Sequence, residues 1–274
     1  MNRHPTLLLR SLPVLPLAAL IFASSCATVP ITGRRQLSLV SDKEVLSSSL
    51  TEYRSYMGKA KVSGDKVRSE QVTRVGRRIA TATETYLRNN GLAGEVANFS
   101  WEFNLVQDDE VNAFCMPGGK IVVYTGLMAL VASDDELAVV LGHEVAHAVA
   151  KHSNERMSQQ MLAEVGTAAA TEAVGRVDAT KRDTAATVFG LGAQVGVMLP
   201  FSRKHESEAD YMGLALMTMA GYDPGAAVGF WKKMAAKGGS STPAILSSHP
   251  SDTTRIANIQ KALPEIRAKY AAKK

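Results

Sequence analysis

Apolar and polar positions follow helical spacing over two long segments in the first third of this chain. The first segment runs from about Asp42 to Met57, and Ser41 and Glu44 are spaced as a capping box at its start. The second is charged and amphipathic and runs from about Lys66 to Arg88. These patterns predict two helices ahead of the first strand.

The pattern then changes to short runs of β-branched and aromatic residues, which favour strands. One run extends from Asn98 to Val106 and another from Lys120 to Tyr124. Turn-forming residues lie between the two runs: Asn112, Pro117, Gly118 and Gly119. We expect a small antiparallel sheet.

After Gly126 the spacing is helical almost to the end of the chain. Ser133 and Glu136 form another capping-box pattern, which predicts a helix from Asp134 to about His152. The apolar stretch 185–199 is shorter than the roughly 20 residues needed to cross a bilayer, so we expect a buried helix. A flexible or lipid-facing element is the alternative. The predicted fold class is α+β, mostly helical with a small sheet.

The first 25 residues have the pattern of a secretory leader. Arg3 and Arg10 accompany an apolar stretch from Leu12 to Phe22, and small residues precede Cys26. The tetrapeptide ending at Cys26 resembles a bacterial lipobox, although Ala23 replaces the usual leucine. We expect a signal peptide over 1–25, a tether over 26–40 lipidated at Cys26, and one domain over 41–274. Ordinary cleavage that leaves Cys26 as a thiol is the alternative.

Composition agrees with one ordinary globular domain or two small ones. The chain has 274 residues, 46% of them hydrophobic and 21% charged. If acylation consumes Cys26, Cys115 has no partner, so no disulfide framework is expected. Removal of Arg3 and Arg10 lowers the formal charge from +5 to 5 − 2 = +3. No nucleic-acid motif is present, and we expect no nucleic-acid partner.

An HExxH motif, His143 to His147, lies within the predicted helix 134–152. Residues four apart share a helix face, so both imidazoles can bind one zinc ion. Glu144 is offset from that face and can act as the general base for a metal-activated water. Two histidines that merely line an apolar helix are the alternative, but burying them without a partner would be costly.

A third ligand is expected from the segment 202–210, which opens another helix. There Glu206 and Asp210 share a face, so Glu206 can bind the metal while Asp210 orients a ligating imidazole. Glu208 points away and is interpreted as part of a solvated acidic helix start. His152 lies five residues beyond His147 and is expected to fall off the metal-binding face.

These motifs resemble the zinc peptidase family that includes the HtpX heat-shock proteases and CAAX prenyl proteases, and in particular its bacterial lipoprotein branch typified by LoiP and BepA. Besides the HExxH helix, the resemblance rests on the segments Cys26 to Gln36, Asn112 to Gly119, Glu206 to Asp210, and His249-Pro250 followed by Arg255. It implies a zincin-like (gluzincin) domain with one Zn²⁺ per chain. His143, His147 and Glu206 are the implied ligands.

The resemblance also implies roles for residues that spacing alone does not single out. His249 would stabilise the oxyanion or, in a resting form, occupy the open zinc position, while Arg255 would brace the site. A strand along the cleft would pair with extended substrate through its backbone. The implied substrate strand comprises Asn112, Ala113, Ile121, Val122 and Val123.

We therefore expect an endopeptidase for misfolded or unassembled envelope proteins. It would act in the periplasm from the inner leaflet of the outer membrane, which Ala27 after the cysteine favours by resemblance. The sequence pattern contains no counterpart of the spanning helices of the integral-membrane relatives or of BepA's helical repeat domain. A non-proteolytic chaperone with structural zinc, and a latent peptidase closed by His249, are the alternatives.

Overall fold

The computed structural model describes residues 26–173, 202–237, 243–249 and 254–271. The leader 1–25 and the apolar stretch 185–199 lie outside the described residues, so the expectations for them stay predictions. None of the helices in the described ranges is long and apolar enough to cross a membrane.

Helices dominate the described chain, and the mostly helical α+β class is confirmed. They are α1 (Asp42–Met57), α2 (Lys66–Asn89), α3 (Ala93–Val96), α4 (Thr125–Met128), α5 (Asp134–Val149), α6 (His152–Ala173), α7 (Arg203–Met219), α8 (Ala226–Lys237), α9 (Ala244–Ser248) and α10 (Arg255–Tyr270). At α1 the predicted capping box is complete, because Ser41 and Glu44 each accept a hydrogen bond from the other's backbone amide.

The helix predicted over 134–152 is interrupted before its expected end. Ser133 caps the start of α5 by accepting from the Glu136 amide, whereas the Glu136 carboxylate accepts from Ala132 and Lys233. At the other end α5 stops at Val149, and Lys151 adopts a left-handed conformation with φ of 54°. The chain changes direction there, and α6 begins as a separate helix.

The strands are β1 (Cys26–Thr28), β2 (Arg35–Leu37), β3 (Glu102–Val106), β4 (Ala113–Met116) and β5 (Lys120–Tyr124). The larger sheet has the order β3-β5-β4. β4 and β5 form an antiparallel hairpin through a turn at Gly118 and Gly119, both with positive φ. β3 instead pairs with β5 in parallel, so the expectation of an antiparallel sheet is wrong for this pair. After β3 the chain crosses to the far edge before reversing, and β3 and β5 therefore run in the same direction.

The core holds α5 against α7 at an unusually close crossing. A Cβ on Gly142 would lie 2.8 Å from the carbonyl oxygen of Gly213, and a Cβ on Gly213 would lie 2.8 Å from the backbone nitrogen of His143. Only glycine permits such a distance between two helix backbones. This crossing brings the HExxH helix and the helix of Glu206 into direct contact.

The segment 26–40, expected as a tether, is folded against the domain. β1 and β2 pair as an antiparallel hairpin, and Val29 in its turn is 1% exposed and belongs to the main core. The backbone amide of Leu39 donates to Ser158 Oγ at 2.8 Å on α6. Cys26, the first described residue, is exposed.

Candidate metal centre

Two histidines face each other from adjacent turns of α5. The helix is apolar and buried over most of its length, and His143 and His147 are buried with it. Their Nε2 atoms are 3.1 Å apart. Side chains four residues apart lie on one helix face, so this proximity follows from the HExxH spacing.

Glu206 reaches the same point from α7. Ser202 caps this helix with its side-chain oxygen, and the crossing at Gly213 presses the helix onto α5. The Glu206 carboxylate lies 3.3 Å from Nε2 of His143 through Oε2 and 3.4 Å from Nε2 of His147 through Oε1. The structure therefore brings together the three side chains expected to bind the metal.

His249 completes the cluster from the end of α9. Its Nδ1 lies 3.0 Å from Oε1 of Glu206 and 3.3 Å from Nε2 of His143. The ligand atoms of these three residues and His147 all lie within 4.8 Å of one another. A fourth donor thus occupies the position that a three-ligand catalytic zinc site would leave open.

The donor set fits zinc in its chemistry and its spacing. Imidazole nitrogen and carboxylate oxygen are common zinc ligands, and ligands arranged tetrahedrally at about 2.0–2.1 Å from one ion lie about 3.3 Å apart. The separations between neighbouring ligand atoms are 3.0 to 3.4 Å. Oε2 of Glu206 is buried and accepts no hydrogen bond from the described residues. A cation would supply the interaction that this buried oxygen needs.

The surrounding charges favour positive charge at the centre. Burial opposes ionisation of Glu206, but the adjacent rings of His143, His147 and His249 hold its pKa below the ordinary value. Burial likewise lowers the pKa of His143, but Asp210 and Glu206 outweigh it and raise that pKa to about 9. Burial keeps the pKa of His147 well below its usual range, so this imidazole is neutral.

Glu144 lies beside the cluster without belonging to it. The backbone amide of Cys115 on β4 donates to its carboxylate, and Oε1 is 3.5 Å from Nε2 of His249. Burial raises the pKa of Glu144, although His249 and His143 partly oppose this. A carboxylate with a raised pKa is a stronger proton acceptor than an ordinary glutamate, which suits a general base.

Asp210 and Arg255 support His143 from behind. Asp210 Oδ1 is 2.9 Å from Nδ1 of His143 and accepts from Arg255 at 2.6 Å. The Arg255 guanidinium lies over the ring of Trp231 at 3.4 Å from its centroid. Sequence reasoning missed Trp231, because an aromatic residue at helical spacing is ordinarily a core residue.

His152 and Glu208 also belong to the site, contrary to the sequence-based expectation. His152 is fully buried, with Nδ1 2.9 Å from Nδ1 of His147, and Glu208 is buried with Oε2 3.0 Å from Nε2 of His152. The expectation assumed one continuous helix through His152. The left-handed turn at Lys151 resets the helical phase and returns His152 to the centre.

The central strand β5 cannot be the substrate strand. Both of its edges are paired, one with β3 and one with β4, so the prediction that Ile121, Val122 and Val123 pair with substrate is wrong. β4 is an outer strand of this sheet, and Ala113 is its first residue. Asn112 precedes it and accepts from the Tyr124 amide with its carbonyl. The other outer strand, β3, is already contacted on its free side, because the Leu105 carbonyl accepts from the Ser63 amide.

The model of peptidase family M48 matches residues 68–263 of this chain. The match covers most of the described residues and includes all four members of the metal cluster as well as Glu144.

Similar proteins carry the name metalloendopeptidase or protease. The chain is 33% identical over 246 residues to mitochondrial metalloendopeptidase OMA1 of Schizosaccharomyces pombe, covering 88% of this chain and 67% of that protein. It is 42% identical to the Arabidopsis thaliana OMA1 over 163 residues, covering 60% of this chain and 32% of that protein. The β-barrel assembly-enhancing protease of Escherichia coli is 25% identical over 255 residues, covering 90% of this chain and 49% of that protein. The chain thus spans between about a third and two thirds of these relatives.

Proposed function

This chain belongs to peptidase family M48 and is a zinc metalloendopeptidase, and we propose that it cleaves misfolded or unassembled proteins of the bacterial envelope. The observation that carries the proposal is the position of Glu144. Its carboxylate lies between a buried set of zinc ligands and the outer strand β4. A base, a metal and a surface for an extended chain therefore meet at one point.

Glu144 and Asp210 have different roles in hydrolysis. Zinc, when bound, polarises the scissile carbonyl and promotes ionisation of water. Glu144 takes the proton that the attacking water loses and delivers it to the amine nitrogen as the peptide C–N bond breaks. Asp210 accepts from Nδ1 of His143 and so keeps Nε2 of that ring directed into the cluster.

The outer edge of β4 would select substrates by their backbone conformation. An extended peptide can add to this edge by backbone hydrogen bonds, which do not depend on side-chain identity. The strand also positions the base, because its Cys115 amide contacts Glu144. Such binding selects chains that are locally unfolded, which suits removal of misfolded or unassembled proteins.

The proposed location is the periplasmic face of the outer membrane, with a lipid anchor at Cys26. Its support is the leader pattern, the exposure of Cys26 and the similarity to a protease named for β-barrel assembly. Bacterial β-barrels reside in the outer membrane. The relatives of higher identity are named as mitochondrial, so family membership alone does not assign the compartment.

The peptidase is tested by degradation of casein together with quantification of bound zinc. Glu144→Gln should retain zinc and lose degradation, because the amide cannot accept the proton. Glu70→Gln, an exposed glutamate on α2, is the matched control and should keep both. Bound zinc with equal degradation by wild type and Glu144→Gln would contradict the assigned base.

A second candidate is a latent form of the same peptidase, favoured by the contacts of His249. With Nδ1 of His249 beside Glu206 and His143, the zinc site is closed in the manner of structural sites. If His249 restrains the enzyme, His249→Ala should increase casein degradation while zinc stays bound. A decrease in degradation would assign His249 to stabilisation of the oxyanion instead. A zinc-bound wild type inactive towards every unfolded substrate would support the chaperone alternative.

The anchor is tested by expressing the full chain in Escherichia coli with labelled fatty acid. We expect wild type and Cys115→Ser to incorporate label and to sediment with outer membranes, whereas Cys26→Ser should do neither. An unlabelled wild type would refute the anchor and leave the peptidase assignment untouched.

A further inference from the structure

A chain of hydrogen bonds leads from the N-terminal hairpin to the metal ligand His147. Arg34 donates through Nε to Oε2 of Glu208 at 2.7 Å. The same carboxylate oxygen lies 3.0 Å from Nε2 of His152, whose Nδ1 lies 2.9 Å from Nδ1 of His147. Four residues from four separate elements thus connect the hairpin β1–β2 to the zinc site.

The hairpin end of this chain is held firmly. The side chain of Arg34 is 15% exposed and forms a two-pronged pair with Glu155, at 2.9 Å to Oε1 and 2.6 Å to Oε2. Thr32, at the tip of the same turn, donates to Oε1 of Glu208 at 2.6 Å. Both oxygens of Glu208 are therefore bound by the hairpin, which fixes the plane of the carboxylate.

The turn of the hairpin contains a backbone conformation that its residue type disfavours. Ile31 has φ of 67°, a left-handed conformation that β-branched residues rarely adopt. Its backbone amide donates to the hydroxyl of Tyr86, and its side chain packs against the main core. Strained residues persist where the surrounding structure determines them, and they concentrate at functional sites. Here the strained turn delivers Thr32 and Arg34 to Glu208.

The contacts also determine which nitrogen of each ring carries a proton. Nε2 of His147 points into the metal cluster and must be unprotonated to bind a cation, so its proton lies on Nδ1. Nδ1 of His152 must then be unprotonated, because it accepts the hydrogen bond that Nδ1–H of His147 donates. The proton of His152 therefore lies on Nε2, which donates to Glu208. Without an ionised carboxylate at Glu208, His152 would no longer be held in this tautomer, and His147 could present a protonated nitrogen to the metal.

We propose that Arg34 and Thr32 of the N-terminal hairpin are positioning residues for the zinc site, acting on His147 through Glu208 and His152. This arrangement parallels the one on the other ligand, where Arg255 and Asp210 orient His143. The hairpin thereby makes the segment next to Cys26 part of the metal centre. The proposal concerns zinc binding and is independent of which proteins are cleaved.

The test measures zinc affinity of the purified full chain by competition with a chelator. Glu208→Gln should weaken zinc binding about 10- to 100-fold, the usual effect of losing a carboxylate that orients a ligating histidine. Arg34→Met should weaken it by a smaller factor, about three- to tenfold, because it acts one step further away. Arg35→Met, an exposed arginine next in the same hairpin, should stay within about twofold of wild type.

A matched pair separates positioning from general destabilisation. Glu155 and Glu208 both pair with Arg34, but Glu208 lies 3.0 Å from Nε2 of His152, whereas Glu155 lies 3.0 Å from Nε2 of His205. Glu155→Gln and Glu208→Gln should therefore lower the unfolding temperature of the zinc-free protein to a similar extent. Only Glu208→Gln should lower zinc affinity and alter the visible absorption spectrum of the Co²⁺-loaded protein.

Equal losses of zinc affinity in Glu155→Gln and Glu208→Gln would overturn the proposal, and so would wild-type affinity in Glu208→Gln. If Glu208→Gln does not fold, Thr32→Val decides. Thr32 is exposed, and its replacement removes the hydrogen bond to Glu208 together with the longer one, 3.4 Å, that its hydroxyl accepts from the Arg34 amide. A reduced zinc affinity in Thr32→Val would support the proposal, and unchanged affinity would refute it.

Discussion

Gly213→Ala tests whether the close crossing of α5 and α7 sets the spacing of the zinc ligands. In the middle of a helix this replacement ordinarily stabilises a protein by up to about 1 kcal/mol. At Gly213 the new Cβ would lie 2.8 Å from the backbone nitrogen of His143 and 2.9 Å from the carbonyl carbon of Gly142. Both contacts are to backbone, so neither can be relieved by a side-chain rotation.

The size of the effect follows from these distances. Ordinary contact begins at 3.4 Å, so the two helices must separate by 3.4 − 2.8 = 0.6 Å at the crossing. Overpacking of this kind costs about 1–3 kcal/mol, which the gain in helix propensity partly offsets. We expect a net loss of roughly 1–2 kcal/mol in the free energy of unfolding. The displacement also exceeds the tolerance of about 0.2 Å in ligand distances, so zinc affinity should fall as Glu206 moves away from His143.

Urea unfolding of the zinc-free protein and chelator competition measure the two effects separately. Gly229→Ala on α8 is the control, because a Cβ there meets nothing within 4 Å and the helix should be stabilised by up to about 1 kcal/mol. If Gly213→Ala is as stable as wild type and binds zinc equally well, the crossing does not position Glu206.

Three further measurements address other parts of the fold. A hydrogen bond from Lys120 lowers the pKa of Glu102 from 4.5, so Glu102 contributes stability above that pH and loses it as the pH falls through the lowered folded value. The urea midpoints of wild type and Glu102→Gln should therefore differ most near neutral pH and converge only as the pH falls below the lowered folded pKa, and a constant difference would exclude this linkage. Ser41→Ala should cost about 0.5–2 kcal/mol in urea unfolding by removing the cap of α1, whereas Ser47→Ala within that helix should not. Removing zinc with a chelator should lower the unfolding temperature. If free zinc had been 100 times the Kd, the loss of stability should be about 2.7 kcal/mol. Glu144→Gln should show the same decrease as wild type, because it retains the zinc ligands.

Features that depend on a few neighbouring residues could be predicted from the sequence. The i, i+4 spacing of His143 and His147 requires only that the segment be helical, and the capping box at Ser41 predicts the start of α1 to the residue. The α+β class and the zinc peptidase activity were also predictable. The family's motifs are local, and they carry the residue types that the chemistry needs.

Predictions failed where they extrapolated a local pattern through a change in chain direction. His152 was placed off the metal-binding face because α5 was assumed to continue, and Lys151 reverses that conclusion with one left-handed residue. The substrate strand was assigned to β5 because sequence does not show which strand lies at the edge of a sheet. Pairing of β3 with β5 in parallel left β4 outside.

The sequence by itself determined the chemistry of this protein, since residue types at short spacing specify the two imidazoles, the base and the helices that carry them. Tertiary structure alone decided how the distant parts meet. Packing at Gly142 and Gly213 brings Glu206 to the histidines, and a strained turn brings Arg34 to Glu208, 174 residues away along the chain. Such contacts depend on the exclusion of water and on close fit between elements. These are properties of the folded arrangement, and no short segment carries them.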